Sequence, residues 1–186
     1  MNRVLRTVFI SAGLAVAALP ALATEIIQVS PQEIAKVSTL VVDGKVSGVR
    51  SYWNDDHSKI FTETTVAVGA THKGAGASTV RVVQIGGVVG NVRQTAYGAL
   101  AWKRGEEVLL FLESAGTGAP GAYQVTGFSQ GRYDIERDSK TGRAYVRQAM
   151  PADVAAATSS ATSGKASPQA DRVALDQFLG QVLPKK

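Results

Sequence analysis

Cysteine is absent from the 186 residues. Its absence excludes disulfides, a thiolate nucleophile and zinc–cysteine sites together. It also excludes lipid attachment of the bacterial lipoprotein kind, which needs a Cys after the export signal. Histidine is nearly missing: His57 and His72 stand alone. They fall at the two ends of one predicted strand, which at about 3.3 Å per residue holds them on the order of 50 Å apart, too far to share a metal. Aromatic residues make up only 6% of the chain against 19 glycines, a balance that favours turns and short strands over large aromatic clusters. Charge of either sign is modest and interspersed, with a net +5. A nucleic-acid binder needs its cations gathered on one face with aromatics between them. No apolar run reaches the ~20 residues that span a bilayer as a helix, and no repeat with a period of tens of residues is visible.

What is present begins with an export signal. Met1 to Arg6 carries two arginines and no acid, Val8 to Leu19 is apolar, Pro20 breaks the helix, and Ala21-Leu22-Ala23 is a small-x-small cleavage site. The expectation is a signal peptide over residues 1–23, Thr24 as the mature N-terminus, and a periplasmic or secreted location. Loss of Arg3 and Arg6 lowers the net charge from +5 to +3, which serves solubility, with weak attraction to anionic surfaces at most. With 45% hydrophobic and 19% charged residues, the remainder can bury a core. Its length suits one domain, residues 24–150, followed by a tail.

The domain is organised around Gly105-Glu106-Glu107-Val108-Leu109-Leu110-Phe111-Leu112, a short apolar run that reads as a strand buried on both faces. Before it, Ser30-Pro31-Gln32-Glu33 is a capping-box start with Pro at the first helical position, predicting a short helix from Pro31 to about Lys36. Leu40 to Trp53 follows as a strand, with Leu40, Val42 and Val46 at period two; the phase change at Gly48 predicts a bulge or sharp bend. Asn54 to Ser58 is a polar turn. Lys59 to Lys73 is a second long strand, with Ile60, Thr62, Thr64, Val66 and Val68 on one face and Phe61, Glu63, Thr65 and Ala67 on the other. Ser78 to Ile85 is a third. Gly86 to Arg104 reads as a long packed loop holding Val92, Tyr97, Leu100 and Trp102. After the central strand, Tyr123 to Gly127 alternates, Gly127 to Gly131 turns, and Arg132 to Glu136 pairs with Ala144 to Arg147 across a hairpin loop at 138–142. Residues 151–170 are Ala, Ser and Thr with little to bury, and read as a disordered linker. Residues 171–186 hold a last helix, with Ala174, Leu175, Phe178, Leu179 and Val182 in an apolar stripe.

These patterns predict a mainly β fold: a small antiparallel barrel of the oligonucleotide/oligosaccharide-binding (OB) type, with a short N-terminal helix and a tethered C-terminal amphipathic helix. A β-sandwich is the alternative. The order of the Ser30-Pro31-Gln32-Glu33 helix, the Leu40-Val41-Val42-Asp43-Gly44-Lys45-Val46 strand, the strand ending Thr71-His72-Lys73-Gly74, the Gly-Glu-Glu run before the Leu-rich strand, and Tyr123-Gln124-Val125-Thr126-Gly127 resembles exported bacterial proteins. More distantly it resembles the netrin-like module of tissue inhibitors of metalloproteinases. The resemblance covers roughly residues 30–147 and implies an OB barrel with a protease-inhibiting or protein-binding role. Those inhibitors chelate the protease zinc through an N-terminal Cys, so their mechanism does not transfer to a chain without one, and fold alone does not carry function.

No catalytic constellation emerges. Asp55, Asp56 and His57 have the donors for a divalent cation, but no spaced partner ligands accompany them, and a solvated turn is the simpler reading. Ser129 lies in Gly127-Phe128-Ser129-Gln130-Gly131 without the strand-then-helix setting of a nucleophile elbow. Gly86-Gly87-x-x-Gly90 has amides for an anion, but no helix follows it, so a tight turn is preferred. Tyr52, Trp53, Tyr97 and Trp102, near Arg50, Arg93, Lys103 and Arg104, either stack a ligand or cover the ends of the barrel as core. The stripe carrying Phe178 and Leu179 either docks on the barrel or binds a partner. The expectation is an exported, non-enzymatic module, without cofactor or metal, that binds another exported or envelope protein such as a secreted protease. The alternative is a small-ligand or saccharide-binding barrel using Trp53, Trp102 and their neighbouring arginines; the candidate ligand- or partner-binding residues are Tyr52, Trp53, Tyr97, Trp102, Arg104, Phe178 and Leu179.

Overall fold

A computed structural model describes residues 28–116, 118–119, 121–151 and 172–183. The signal-peptide reading and nearly all of the linker reading lie outside the described residues. Helix α1 (Pro31–Val37) is capped as its sequence predicts: the Ser30 hydroxyl accepts the Glu33 amide at 3.2 Å. Strand β1 (Leu40–Trp53) is followed by β2 (Ile60–Lys73) and β3 (Thr79–Ile85). The stretch taken as one long loop contains a hairpin, β4 (Gly87–Val89) and β5 (Val92–Gln94), around Gly90-Asn91. Then come β6 (Glu107–Ser114), β7 (Tyr123–Val125), β8 (Arg132–Arg137), β9 (Ala144–Gln148), β10 (Val173–Ala174) and helix α2 (Leu175–Val182). The last helix is shorter than its stripe suggested, because Val173 and Ala174 pair with β9 instead.

Among the described residues the fold is mainly β, with one large mixed sheet and two helices. The large sheet runs β1-β2-β3-β7-β6-β8-β9-β10, and β1 also pairs with β6. The pairings β1–β2–β3–β7–β6 therefore return to β1. The sheet is not wholly antiparallel as predicted: β3 and β7 run parallel, joined by a single register pair, Val82 with Tyr123. β1 reaches both neighbours by bending. Its register against β2 slips between Val46 and Gly48, as the phase change predicted, and also at Val41/Val42 and Asp43/Gly44. At Gly44 the strands approach so closely that a Cβ would strike the Ala67 carbonyl oxygen.

Strand β6 is the spine. Val108, Leu109, Leu110, Phe111 and Leu112 are all fully buried. Val108, Leu110 and Leu112 pack with Leu40, Val42, Val66, Val80 and Val82 in one core. Leu109 and Phe111 face the opposite way, into a second core with Val41, Ile34, Tyr133, Val146, Phe178 and Val182. Period-two alternation thus feeds two cores from one strand.

The second core fixes helix α2. Phe178 is 8% exposed, with its ring 4.6 Å from Tyr133 and 6.3 Å from Phe111. Tyr133 is buried, and its hydroxyl has no hydrogen-bond partner among the described residues. Burial pushes its pKa up to about 12, against an ordinary value near 10. The folded state therefore holds this proton more tightly than the unfolded chain. The resulting stability is fully present below pH ~10 and is lost as pH rises toward 12. Tyr133→Phe should flatten that alkaline decline. At neutral pH it should match or exceed the parent, since an unsatisfied buried hydroxyl is removed. Urea midpoints at pH 8 and pH 11 for both proteins check this; a variant that loses stability at pH 8 would contradict it.

Candidate functional site

On β2, Ile60, Thr62, Thr64 and Val66 point into the first core side of the sheet, so Phe61 and Glu63 point out. Register carries this face across three strands: Tyr52 lies opposite Phe61, and Phe61 opposite Ile85. The Tyr52 and Phe61 rings stack at 6.2 Å between centroids. Ile85 is 44% exposed and lines a groove of about 270 Å³ with Val83, Tyr97, Val125 and Phe128. The groove opens where β3 and β7 part beyond their one pair. Tyr97 is 58% exposed and Phe128 is 82% exposed. An apolar band thus runs Tyr52–Phe61–Ile85 and on to Tyr97 and Phe128.

The edges of the band carry charge. Glu63 is nearly buried between Arg50 at 3.0 Å and Arg81 at 3.2 Å. The Glu63 hydrogen bond and charge raise the Arg50 pKa, and the Arg50 guanidinium lies 5.1 Å over the Tyr52 ring. Among the described residues Glu113 is the one charged residue lining the groove, where it accepts from Gln124 Nε2 at 3.1 Å.

Phe128 is held in a fixed place. Its φ is +61°, a left-handed conformation that costs a non-glycine residue roughly 1–2 kcal/mol. The turn beneath it is fastened on both sides. Thr126 N donates to Phe111 O, the Ser38 and Thr126 hydroxyls hydrogen-bond at 2.9 Å, and Gln148 Nε2 donates to Gln130 O. A Cβ at Gly131 would stand 2.6 Å from Thr126 O.

Of the residues predicted from sequence, Tyr52 and Tyr97 fall on this band. Trp53 stands apart, with its ring 6.1 Å from that of His57. Trp102 is half-buried against the first core, its Nε1 donating to Gln84 Oε1 at 3.1 Å. The cation over it is not Arg104, which is exposed, but Arg132 at 4.3 Å. Phe178 is buried and Leu179 packs on the second core, so the stripe of α2 is occupied within the chain and is not an open surface. Phe61, Ile85 and Phe128 escaped the sequence reading. The signal for Phe128 was an aromatic side chain inside a glycine-flanked turn, where there is little to bury it.

The residues weighed for catalysis do not converge. His72 Nε2 lies 2.8 Å from Asp43 Oδ2, while His57 sits in the turn at the other end of β2. Ser129 is buried, and no hydrogen bond joins it to either histidine among the described residues. Asp56 caps its own turn: hydrogen bonds from Ser58 lower its pKa. The same residues show no cluster of three metal-ligating side chains. Gly86, Gly87 and Gly90, all at positive φ, shape the β4–β5 hairpin. No protein-family model matches the chain, and no curated protein matches it either.

Proposed function

We propose that the chain is an exported, non-enzymatic protein-binding module built on an OB-like barrel. It engages an extended segment of another exported or envelope protein through the band from Tyr52 to Phe128. The five-strand ring of pairings supports the barrel, since an OB fold is a five-stranded Greek-key barrel. The observation that carries the binding reading is Phe128. Its backbone is strained and its ring is almost wholly in water, so folding gains nothing from its burial. A strained, exposed aromatic on a rigid base is a pre-organised anchor, and aromatic anchors dominate interface energetics. The fitting segment carries an aliphatic or aromatic side chain for the groove and a Lys or Arg for Glu113. The alternative saccharide platform has less support, because Trp53 does not line the cavity that Trp102 lines.

Phe128→Gly tests this directly. Glycine accepts the positive φ, so stability should hold or rise by about 1 kcal/mol. Capture of the partner from the exported fraction should fall at least tenfold. Undiminished capture by a folded Phe128→Gly protein would overturn the site.

A further inference from the structure

We propose that the cavity beneath the β4–β5 hairpin binds a small carboxylate with an apolar body. This cavity lies on the opposite face of the strands from the band: Ser51, Thr62 and Gln84 are register partners one residue away from Tyr52, Phe61 and Ile85. Its volume is about 500 Å³, inside the roughly 300–1,000 Å³ range of small-molecule sites. Val49, Val88, Leu100 and Trp102 supply apolar wall.

The polar groups of the wall decide what fits. Thr62 Oγ1 donates its one proton to Gly86 O at 2.7 Å, so in the 3.0 Å contact with Ser51 the serine is the donor. Gln84 Oε1 accepts from Leu100 N and Trp102 Nε1, and Gln84 Nε2 gives one hydrogen to Leu100 O. Gln94 Oε1 accepts from Ile60 N at 2.7 Å. The carbonyl oxygens of both glutamines are therefore engaged. The side-chain groups left over are both hydrogens on Gln94 Nε2, one on Gln84 Nε2, the Thr95 hydroxyl, which can donate or accept, and the Arg93 guanidinium, which has no ion-pair partner among the described residues. Among the described residues Arg93 is also the one charged residue in the lining, with no acid there. A donor-rich, singly cationic cavity with apolar walls is complementary to a carboxylate, which accepts hydrogen bonds and donates none.

Calorimetric titration of the purified protein with octanoate and 4-phenylbutyrate, beside octan-1-ol and 4-phenylbutan-1-ol, tests this. Both acids should bind one to one, and each alcohol should bind at least tenfold more weakly. Arg93→Gln should bring the acids down to the level of the alcohols without moving the thermal midpoint, because Arg93 is exposed and forms no ion pair among the described residues. The side-chain amide signal of Gln94, which lines this cavity and not the groove of the band, should shift on titration. No binding of either acid at millimolar concentration, acid binding unaffected by Arg93→Gln, or shifts confined to the Tyr52–Phe128 band would each overturn the proposal.

Discussion

Phe111→Ala should destabilise the protein by about 3–5 kcal/mol, the range for truncating a fully buried phenylalanine. Phe111 is wholly buried, and its ring meets both Tyr133 and Phe178 edge-on, at 5.8 and 6.3 Å. The cavity would open between the sheet and helix α2, so the loss should be local before it is global. Amides of α2 and β10 should exchange faster with solvent, while those of β2 and β3 change less. Leu110→Ala on the same strand empties into the other core and should leave α2 protected until global unfolding, at a cost of about 2–5 kcal/mol. Urea unfolding together with hydrogen exchange separates the two. Equal exposure of α2 in both variants would contradict the division into two cores.

Arg132→Ala should cost about 1.5–3 kcal/mol, the range for hydrogen bonds to charged groups, since Arg132 is buried while Glu106 and Asp134 stay about a third exposed. The Arg132 side chain is 4% exposed, and its Nη2 lies 2.7 Å from Asp134 and 3.0 Å from Glu106. Nη1 donates to Ala101 O, and the guanidinium covers the Trp102 ring. Removing it leaves two carboxylates facing each other, an unsatisfied carbonyl and an uncovered indole. Arg132→Lys should recover little, because one ammonium cannot reproduce the planar fork or stack as well on the ring. The deficit should persist in 1 M NaCl, since buried pairs are poorly screened. A loss below 1 kcal/mol, or full rescue by lysine, would contradict this role.

The contrast between Arg132 and Arg104 marks how far the sequence could be read. Local pattern served wherever the cause is local. The Ser30 cap, the full span of β1 with its slip at Gly48, and the two-sided burial of β6 all follow from residues within a few positions of one another. Even the missed hairpin had a local signal, Gly90-Asn91 between valines. Arg132 meets Trp102 from thirty positions away, and nothing near Trp102 in sequence singles it out over Arg104. The parallel contact of β3 with β7 is likewise a tertiary event: neither strand's alternation encodes its partner's direction. Helix α2 lies between these cases. Its stripe announced that it needed a surface, but only the second face of β6 and β8, with Phe111 and Tyr133 on it, shows which one. The band was half legible. Tyr52 and Tyr97 stood out as aromatics, whereas Phe61 and Ile85 look like ordinary strand residues until register sets them in one row.

The most direct test of the binding surface is a photo-crosslinking amino acid placed at position 128, with a control at position 137. Arg137 lies on β8 and has an exposed side chain. Position 128 should give one discrete adduct with an exported or envelope protein. The attachment should map to an extended segment with an apolar side chain beside a Lys or Arg, and Ile85→Ser in the band should abolish it. Position 137 should give no such adduct. No adduct at 128, or the same adducts from both positions, would contradict the proposed surface.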